Sequence, residues 1–228
     1  QILSDVRYDQ LTTLPMRLDA GHVDLEQLNR ALADLRQQGL VNLAMAKATE
    51  WGFTPILPPA LVKPSAMEGT GFLGQAAQDV YHLPADDLYL VGTSEVALAA
   101  FHSDEILDAA TLPRLYAGFS PCYRREAGSH GKDTRGIIRM HQFNKLEMET
   151  FGTAETSLDE HKLMVAIQEH LMTRLGLPHR VVQKCTADIG GPNANGIDVD
   201  VWLPGQGKYR ETHTADLIGD YQTRRMNT

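Results

Sequence analysis

The sequence predicts an α+β fold, an antiparallel β-sheet flanked by helices, and three observations carry that expectation. Most of its strand-like stretches follow one another without a helix between them, which favours antiparallel pairing over a doubly wound parallel sheet. A stretch rich in Gly, Ser, Lys and Asp, residues 127–136, joins two long β-forming runs and would sit at the tip of such a pair. The composition is that of an ordinary globular chain: 228 residues, 43% hydrophobic and 22% charged, with a net charge of −8. Disordered, collagenous and purely coiled-coil chains are excluded by these values, and wholesale phosphate-backbone binding needs a surplus of cations that the average does not show.

The elements follow in order. Residues 1–39 form an N-terminal segment of unclear role, partly helical, in which the first 20 residues show no period. From Asp24, a plausible N-cap, Leu25, Leu28, Leu32 and Leu35 repeat at 3-4-3 spacing and predict a helix. Gly39 is expected to interrupt it before a second helical stretch through Leu40, Leu43 and Ala44, which stops at Gly52. Residues 53–62 read as a short strand closed by Pro58 and Pro59. Gly69, Gly71 and Gly74 satisfy GxGxxG literally, but no strand feeds them and Lys63-Pro64-Ser65 stand before them, so they read as a flexible loop rather than a dinucleotide site. Residues 87–92 predict a strand, 96–102 a helix, 114–126 and 137–151 two strands. Ser157 with Glu160 forms a capping-box pattern ahead of a helix carrying Met164, Ile167, Leu171 and Leu175 and ending at Gly176. Three further strands are expected across 179–185, 196–203 and 207–217, divided by Gly/Pro/Asn turns.

Two cysteines, Cys122 and Cys185, make no disulfide framework and no zinc-ligand spacing, so a reducing, cytoplasmic setting is expected. The N-terminus has no leader pattern, and no apolar run approaches a membrane span.

Charge is uneven. Between Cys122 and Lys145 six Arg and Lys residues stand against two acidic ones, a local +4, so the rest of the chain carries −12. A basic pocket in an acidic body suits a polyphosphate, since the guanidinium fork matches phosphate oxygens bidentately. Strict alternation along 137–151 would put Arg139, His141, Phe143, Lys145 and Glu147 on one face, and Arg124 would share a face with Glu126 on the strand before. Cation, aromatic plate and carboxylate in one row offer contacts to phosphate, purine and ammonium together, which points to activation of an amino acid by ATP.

The run PCYRREAGSHGKDTRGIIRMHQFNKLE resembles motif 2 of the class II aminoacyl-tRNA synthetases, in the form typical of the seryl-tRNA synthetase family. Around it, PILPPALVKPSAMEGTGFLG resembles the family's motif 1 region, LYLVGTSEVALAAFHSDEIL its TxE loop, and VWLPGQGKYRE the sheet segment before motif 3. The similarity covers about residues 40–228, the expected catalytic domain.

The resemblance implies activation of L-serine with ATP to seryl-adenylate, transfer to tRNA(Ser), and a homodimer built through motif 1. It implies that Thr93, Glu95 and Glu147 hold the serine ammonium and that Arg124 bridges the substrate carboxylate and the α-phosphate. Glu126 would accept from the adenine amino group, Arg139 hold the γ-phosphate, and Phe143 stack on the base. Glu211 and Thr214 would bind Mg²⁺ and phosphate. His141 and His213 are expected to make structural hydrogen bonds, and zinc is not expected. Three departures stand out: the sequence has no motif 3 before Thr228, no coiled-coil arm before residue 40, and ETHTADL where E-(I/L)-(S/T)-S-(C/T)-S-N is usual. The first two are what a truncated or partly ordered chain of such an enzyme is expected to show. Two other readings are a non-catalytic paralogue kept as a binding or dimerising module, and an aminoacyl-carrier-protein ligase.

Overall fold

The computed structural model describes residues 25–74, 77–127 and 138–228. Asp24, the first 20 residues and most of the basic loop, with Lys132 and Arg135, lie outside the described residues. The chain divides into two compact units, residues 1–40 and 41–228.

Helix α1 runs without a break from Leu25 to Glu50, straight through Gly39. The expected interruption is absent because glycine inside a helix costs only about 1 kcal/mol against alanine, and the good helix formers on either side outweigh it. The stop at Gly52 is real: its φ is +96°, and Phe53 N–H returns to the Ala48 carbonyl at 2.9 Å.

Beyond α1, strand β1 (Thr54–Ile56) pairs in parallel with β5 (Arg114–Tyr123), which pairs antiparallel with β6 (Gln142–Phe151). A small antiparallel sheet joins β2 (Leu61–Val62), β4 (Leu88–Leu90) and β3 (Tyr81–Leu83) in that order. A third, also antiparallel, runs β7 (His179–Gln183), β8 (Asn195–Leu203), β9 (Lys208–Leu217). Among the described residues the other α-helices are α2 (Pro64–Thr70), α3 (Glu95–Ala99), α4 (Ser157–Arg174) and α5 (Tyr221–Met226), with three short 3-10 turns beside them. The architecture is α+β with antiparallel sheets, and β1 is the single parallel partner among the described strands.

Residues 64–70 are helical rather than a flexible loop. Pro64 opens the helix at its first turn, where its missing N–H costs nothing, and Gly71 at φ +89° closes it. Only Gly71 acts as a backbone device here; Gly69 lies within the helix, where its lack of a side chain admits Met226.

The expected capping box at Ser157 does not form: the helix starts one residue earlier than that pattern requires, and its N-cap makes no side-chain bond to the first-turn N–H groups. Thr156 is the N-cap, its hydroxyl donating to Glu160 Oε1 at 2.6 Å, while Ser157 Oγ donates back to the Ala154 carbonyl. Helix α4 ends as expected, with Gly176 at φ +67°. Its Ile167, Leu171 and Met172 meet Ala48, Phe53, Ala117, Val199 and Val201, so one core joins the end of α1, β5 and β8. A second cluster, Val62, Met67, Val91 and Val96, fastens α2 and α3 to the small sheet.

Candidate active site

Strand β6 begins at Gln142, five residues later than the sequence pattern predicts. Arg139 and His141 therefore stand ahead of the strand and do not extend its alternating face. Phe143, Lys145 and Glu147 do alternate, opposite Cys122, Ser120 and Gly118 of β5, and Glu149 continues the row. Arg124 and Glu126 likewise lie past the end of β5, with Glu126 in the left-handed region at φ +52°, so the two do not share a strand face.

The turn before α3 brings Thr93 to this row. Thr93 Oγ1 donates to Glu147 Oε2 at 2.7 Å and accepts from Lys145 Nζ at 2.9 Å, and Lys145 is itself ion-paired to Glu147. Ser94 is locked beneath by a 2.7 Å bond to Ser120, both side chains buried. Glu95, the first residue of α3, faces the same row and accepts from Gln222 Nε2 of α5 at 2.7 Å.

Three carboxylates, Glu95, Glu147 and Glu149, thus share one ammonium, that of Lys145. Burial, reinforced by the Glu147 charge, pushes Glu95 up to about 7. Glu149 is raised well above the usual range, by burial first and by its two acidic neighbours next. Burial works to lower Lys145, but the charge of Glu147 and the hydrogen bond to it outweigh burial, and its ammonium is held above its ordinary value. The pocket is electron-rich and short of positive charge, a setting that favours an incoming organic cation.

Next to it Arg124 donates from Nε to the Gly92 carbonyl at 3.1 Å and lies 5.1 Å from the centre of the Phe143 ring. A cation over an aromatic face leaves the guanidinium's outer N–H groups available to an anion. His141 Nδ1 meets Tyr81 Oη at 3.0 Å and the Arg124 carbonyl at 3.2 Å, while Arg124 N–H donates to the His141 carbonyl. That is bracing of the Arg124 backbone, the structural role expected of His141. Arg139 Nη1 donates to Glu126 Oε2 at 3.0 Å, so the two residues read as phosphate and adenine contacts hold each other here.

Strand β9 contributes the far wall. A β-bulge at Thr212 puts one extra residue opposite the Val199/Asp200 step, so that Glu211 pairs with Asp200 and Thr214 with Asp198. Without the bulge, residues three apart would point to opposite faces; with it, Glu211, Thr214 and Asp216 share one. Burial raises Glu211, and the Asp198 charge adds to the effect. The Thr214 hydroxyl is buried with no hydrogen-bond partner. Lys184 Nζ bridges Asp216 at 3.0 Å and Asp198 at 3.2 Å on the same face. His213 lies on the opposite face with Val199, and burial lowers its basicity.

One open cavity of about 1250 Å³ joins these parts, lined by the edges of β6 and β9 and by α4. Glu95, Arg124, Phe143, Glu147, Glu211 and Thr214 all line it. Thr93 reaches it through Lys145 and Glu147, whereas Glu126 and Arg139 pair outside its lining. Lys145 enters the site as a charge partner, a part the sequence reading left unassigned. Neither Glu149 nor Gln222 is singled out by any sequence motif.

Residues 81–228 match the family model described as the tRNA synthetase class II core domain (G, H, P, S and T). The chain belongs to this class II synthetase core family. Among its relatives, the serine–tRNA ligase of Streptomyces coelicolor is 57% identical over 193 residues, covering 85% of this chain and 45% of that protein. The fold of seryl-tRNA synthetase from Pyrococcus horikoshii, solved in complex with ATP, superposes at a TM-score of 0.80 with 42% identity, over 82% of this chain and 42% of that one. The cytoplasmic serine–tRNA ligase of Naegleria fowleri, solved with AMP, gives 0.79 and 34%, over 83% and 46%. The chain spans less than half the length of these relatives. In this class II core, the carboxylate pocket and the Arg124–Phe143 pair form two adjoining halves of one cavity.

Proposed function

We propose that residues 40–228 are the core of a serine–tRNA ligase: L-serine and ATP give seryl-adenylate and pyrophosphate, and the seryl group then passes to tRNA(Ser). The observation that carries this reading is a single cavity in which a cluster of buried carboxylates with the Thr93 hydroxyl adjoins a guanidinium laid over an aromatic ring. Thr93, Glu95 and Glu147 would hold the serine ammonium through a hydroxyl and two carboxylates. An oxygen of the serine carboxylate attacks the α-phosphorus and forms the new P–O bond as the bond to the bridging oxygen of the β-phosphate breaks. Pyrophosphate leaves with that electron pair. Arg124, 5.1 Å from the Phe143 ring centre, is placed to stabilise the negative charge that grows on the α-phosphate. Phe143 offers its other face to adenine. In the second step a hydroxyl at the tRNA 3′ end attacks the seryl carbonyl and AMP departs. No side chain forms a covalent bond, so rate enhancement rests on positioning and electrostatics.

Binding of Glu126 to the adenine amino group and of Arg139 to the γ-phosphate requires their mutual ion pair to open. Among the described residues no group of three or more His, Cys, Asp or Glu is placed to hold a metal. Mg²⁺ does not need one, since it commonly takes one or two protein oxygens together with substrate phosphates. Glu211 and the unpartnered hydroxyl of Thr214 fit that description, and Mg²⁺ there would supply charge neutralisation for the phosphates. We further infer a homodimer, supported by the exposed Leu57 (88%) just after β1 and Leu61 (43%) in β2, and a reducing compartment, supported by the free thiols of Cys122 and Cys185. Among the described residues no helix is long and apolar enough to cross a membrane.

The test is serine-dependent ATP–pyrophosphate exchange by the full-length protein. Exchange is expected with serine and should fall by about a hundredfold or more in Arg124→Ala, the order seen when one transition-state donor is removed. Robust exchange with another amino acid, or none with any, overturns the serine reading.

A further inference from the structure

We propose that Gln222 is the positioning residue of the ammonium pocket: its side-chain amide fixes Oε1 of Glu95 and thereby leaves Oε2 for the ligand. The inference rests on the reading of Thr93, Glu95 and Glu147 as that pocket.

The geometry is specific. Gln222 is 5% exposed, and its Nε2 donates to Glu95 Oε1 across 2.7 Å, joining α5 to α3 over 127 positions of sequence. The charged groups around Glu95 are Lys145, Glu147 and Glu149 from β6 and Asp216 from β9. Lys145 is already committed to Glu147 and Thr93. Glu95 therefore needs a donor of its own, and the chemistry of that donor matters. A lysine at position 222 would satisfy the carboxylate but occupy it with a fixed cation, in competition with the ligand's ammonium. An apolar side chain would leave it free to rotate and to keep a proton. A neutral amide orients the carboxylate, favours its ionised form by donating to it, and adds no positive charge.

Gln222 is also separable from the docking of α5. The helix is anchored elsewhere: Met226 packs against Gly69, where a Cβ would come within 2.5 Å of its Cγ, and Arg225 donates to the Glu68 carbonyl at 2.8 Å. Asp104 N–H donates to the Met226 carbonyl at 3.0 Å, and Thr228 Oγ1 donates to the His102 carbonyl at 3.0 Å. Removing one amide leaves these contacts in place, so an effect on Glu95 can be told from loss of the helix.

The experiment compares the full-length protein with Gln222→Met and Gln222→Lys in serine-dependent exchange across pH 6–9, with serine and ATP varied separately. Loss of a hydrogen bond to a charged group predicts a rise of about tenfold or more in KM for serine at pH 7, with KM for ATP unchanged. The acidic limb of kcat/KM should move to higher pH in Gln222→Met, and Gln222→Lys should raise KM for serine without that displacement. A parallel carbon-13 titration of the Glu95 carboxyl reads its ionisation with no ligand present. An upward move in Gln222→Met supports the positioning role even if wild-type exchange fails, which would sink only the serine reading. Unchanged Glu95 titration, or serine and ATP constants rising together with a fall in Tm, overturns the proposal.

Discussion

Glu95→Gln separates what the pocket costs the fold from what it does for a ligand. Burial and the charge of Glu147 hold Glu95 at about 7, against 4.5 for an ordinary glutamate. A carboxyl whose folded-state value is raised binds a proton more readily in the native state than in the unfolded one. Its linked contribution is therefore unchanged below about pH 4.5, and native stability is lost as pH climbs from there to about 7. At 1.36 kcal/mol per pH unit the displacement corresponds to about 3 kcal/mol as an upper figure, and partial solvent access brings it to roughly 1.5–3 kcal/mol. The amide introduced by Glu95→Gln would be neutral at every pH, and its carbonyl oxygen could still accept from Gln222. Urea unfolding of both proteins at pH 5 and pH 8 reads the difference directly. The variant should match the wild type at pH 5 and exceed its stability by about 1.5–3 kcal/mol at pH 8, a gain of several degrees in Tm for a chain of this size. Glu149 titrates against the same neighbours, so the double variant with Glu149→Gln should fall short of additivity. A difference that is the same at both pH values, or a variant less stable at pH 8, refutes the reasoning.

Two other outcomes follow from the packing. Ile167→Ala should cost about 3–4 kcal/mol in urea unfolding, because Ile167 is 2% exposed in the core that joins α4 to β5 and β8; a loss below about 1 kcal/mol would show that this core is not where the sheets are held. Gly69→Ala places a Cβ 2.5 Å from Met226 Cγ and should loosen α5 from α2, read as faster amide exchange across residues 221–226 with little change in the β7–β9 sheet. Unchanged exchange in α5 would mean that Met226 repacks freely.

The parts of this fold that could be read from sequence are those governed by local chemistry. Helix α4, its glycine stop and the antiparallel order of β7, β8 and β9 follow from apolar spacing and turn residues whose preferences outlast tertiary context. The misreadings occur where a local signal is weak beside its neighbours. Gly39 breaks a pattern by eye, yet its cost is one residue's worth of propensity in a 26-residue helix. The glycines at 69–74 look like loop because two of three serve other ends: one clears room for Met226 and one closes α2. Alternation carried back to Arg139 failed because period-2 logic holds only while a partner strand is present, and β5 has ended by then. In the site, Thr93, Glu95 and Glu147 could be named because they sit in recognisable short motifs. Gln222 could not, because its role exists only once α5 is folded onto α2, 127 positions from the carboxylate it serves.

The extra residue in β9 gives that strand two phases of alternation in place of one. Before Thr212 the face that holds Glu211 carries odd positions, Tyr209 and Glu211; after it the same face carries even ones, Thr214 and Asp216. Val199 already pairs with His213 and Asp200 with Glu211, so removing Thr212 would close the ladder and leave every downstream side chain on the face it now occupies. What would go is the local bend and added twist that a bulge brings between Glu211 and Thr214. The side chain at 212 makes only local bonds, its hydroxyl meeting the Val199 carbonyl at 3.2 Å and His213 Nδ1 at 2.9 Å on the face away from Glu211, so its identity matters little beside its presence. Chain length at this one position is thus a ruler for the spacing of Glu211 and Thr214, the pair proposed for Mg²⁺. Substitutions at 212 should leave the magnesium dependence of exchange unchanged, whereas a one-residue deletion should spare folding and raise the magnesium concentration that exchange requires.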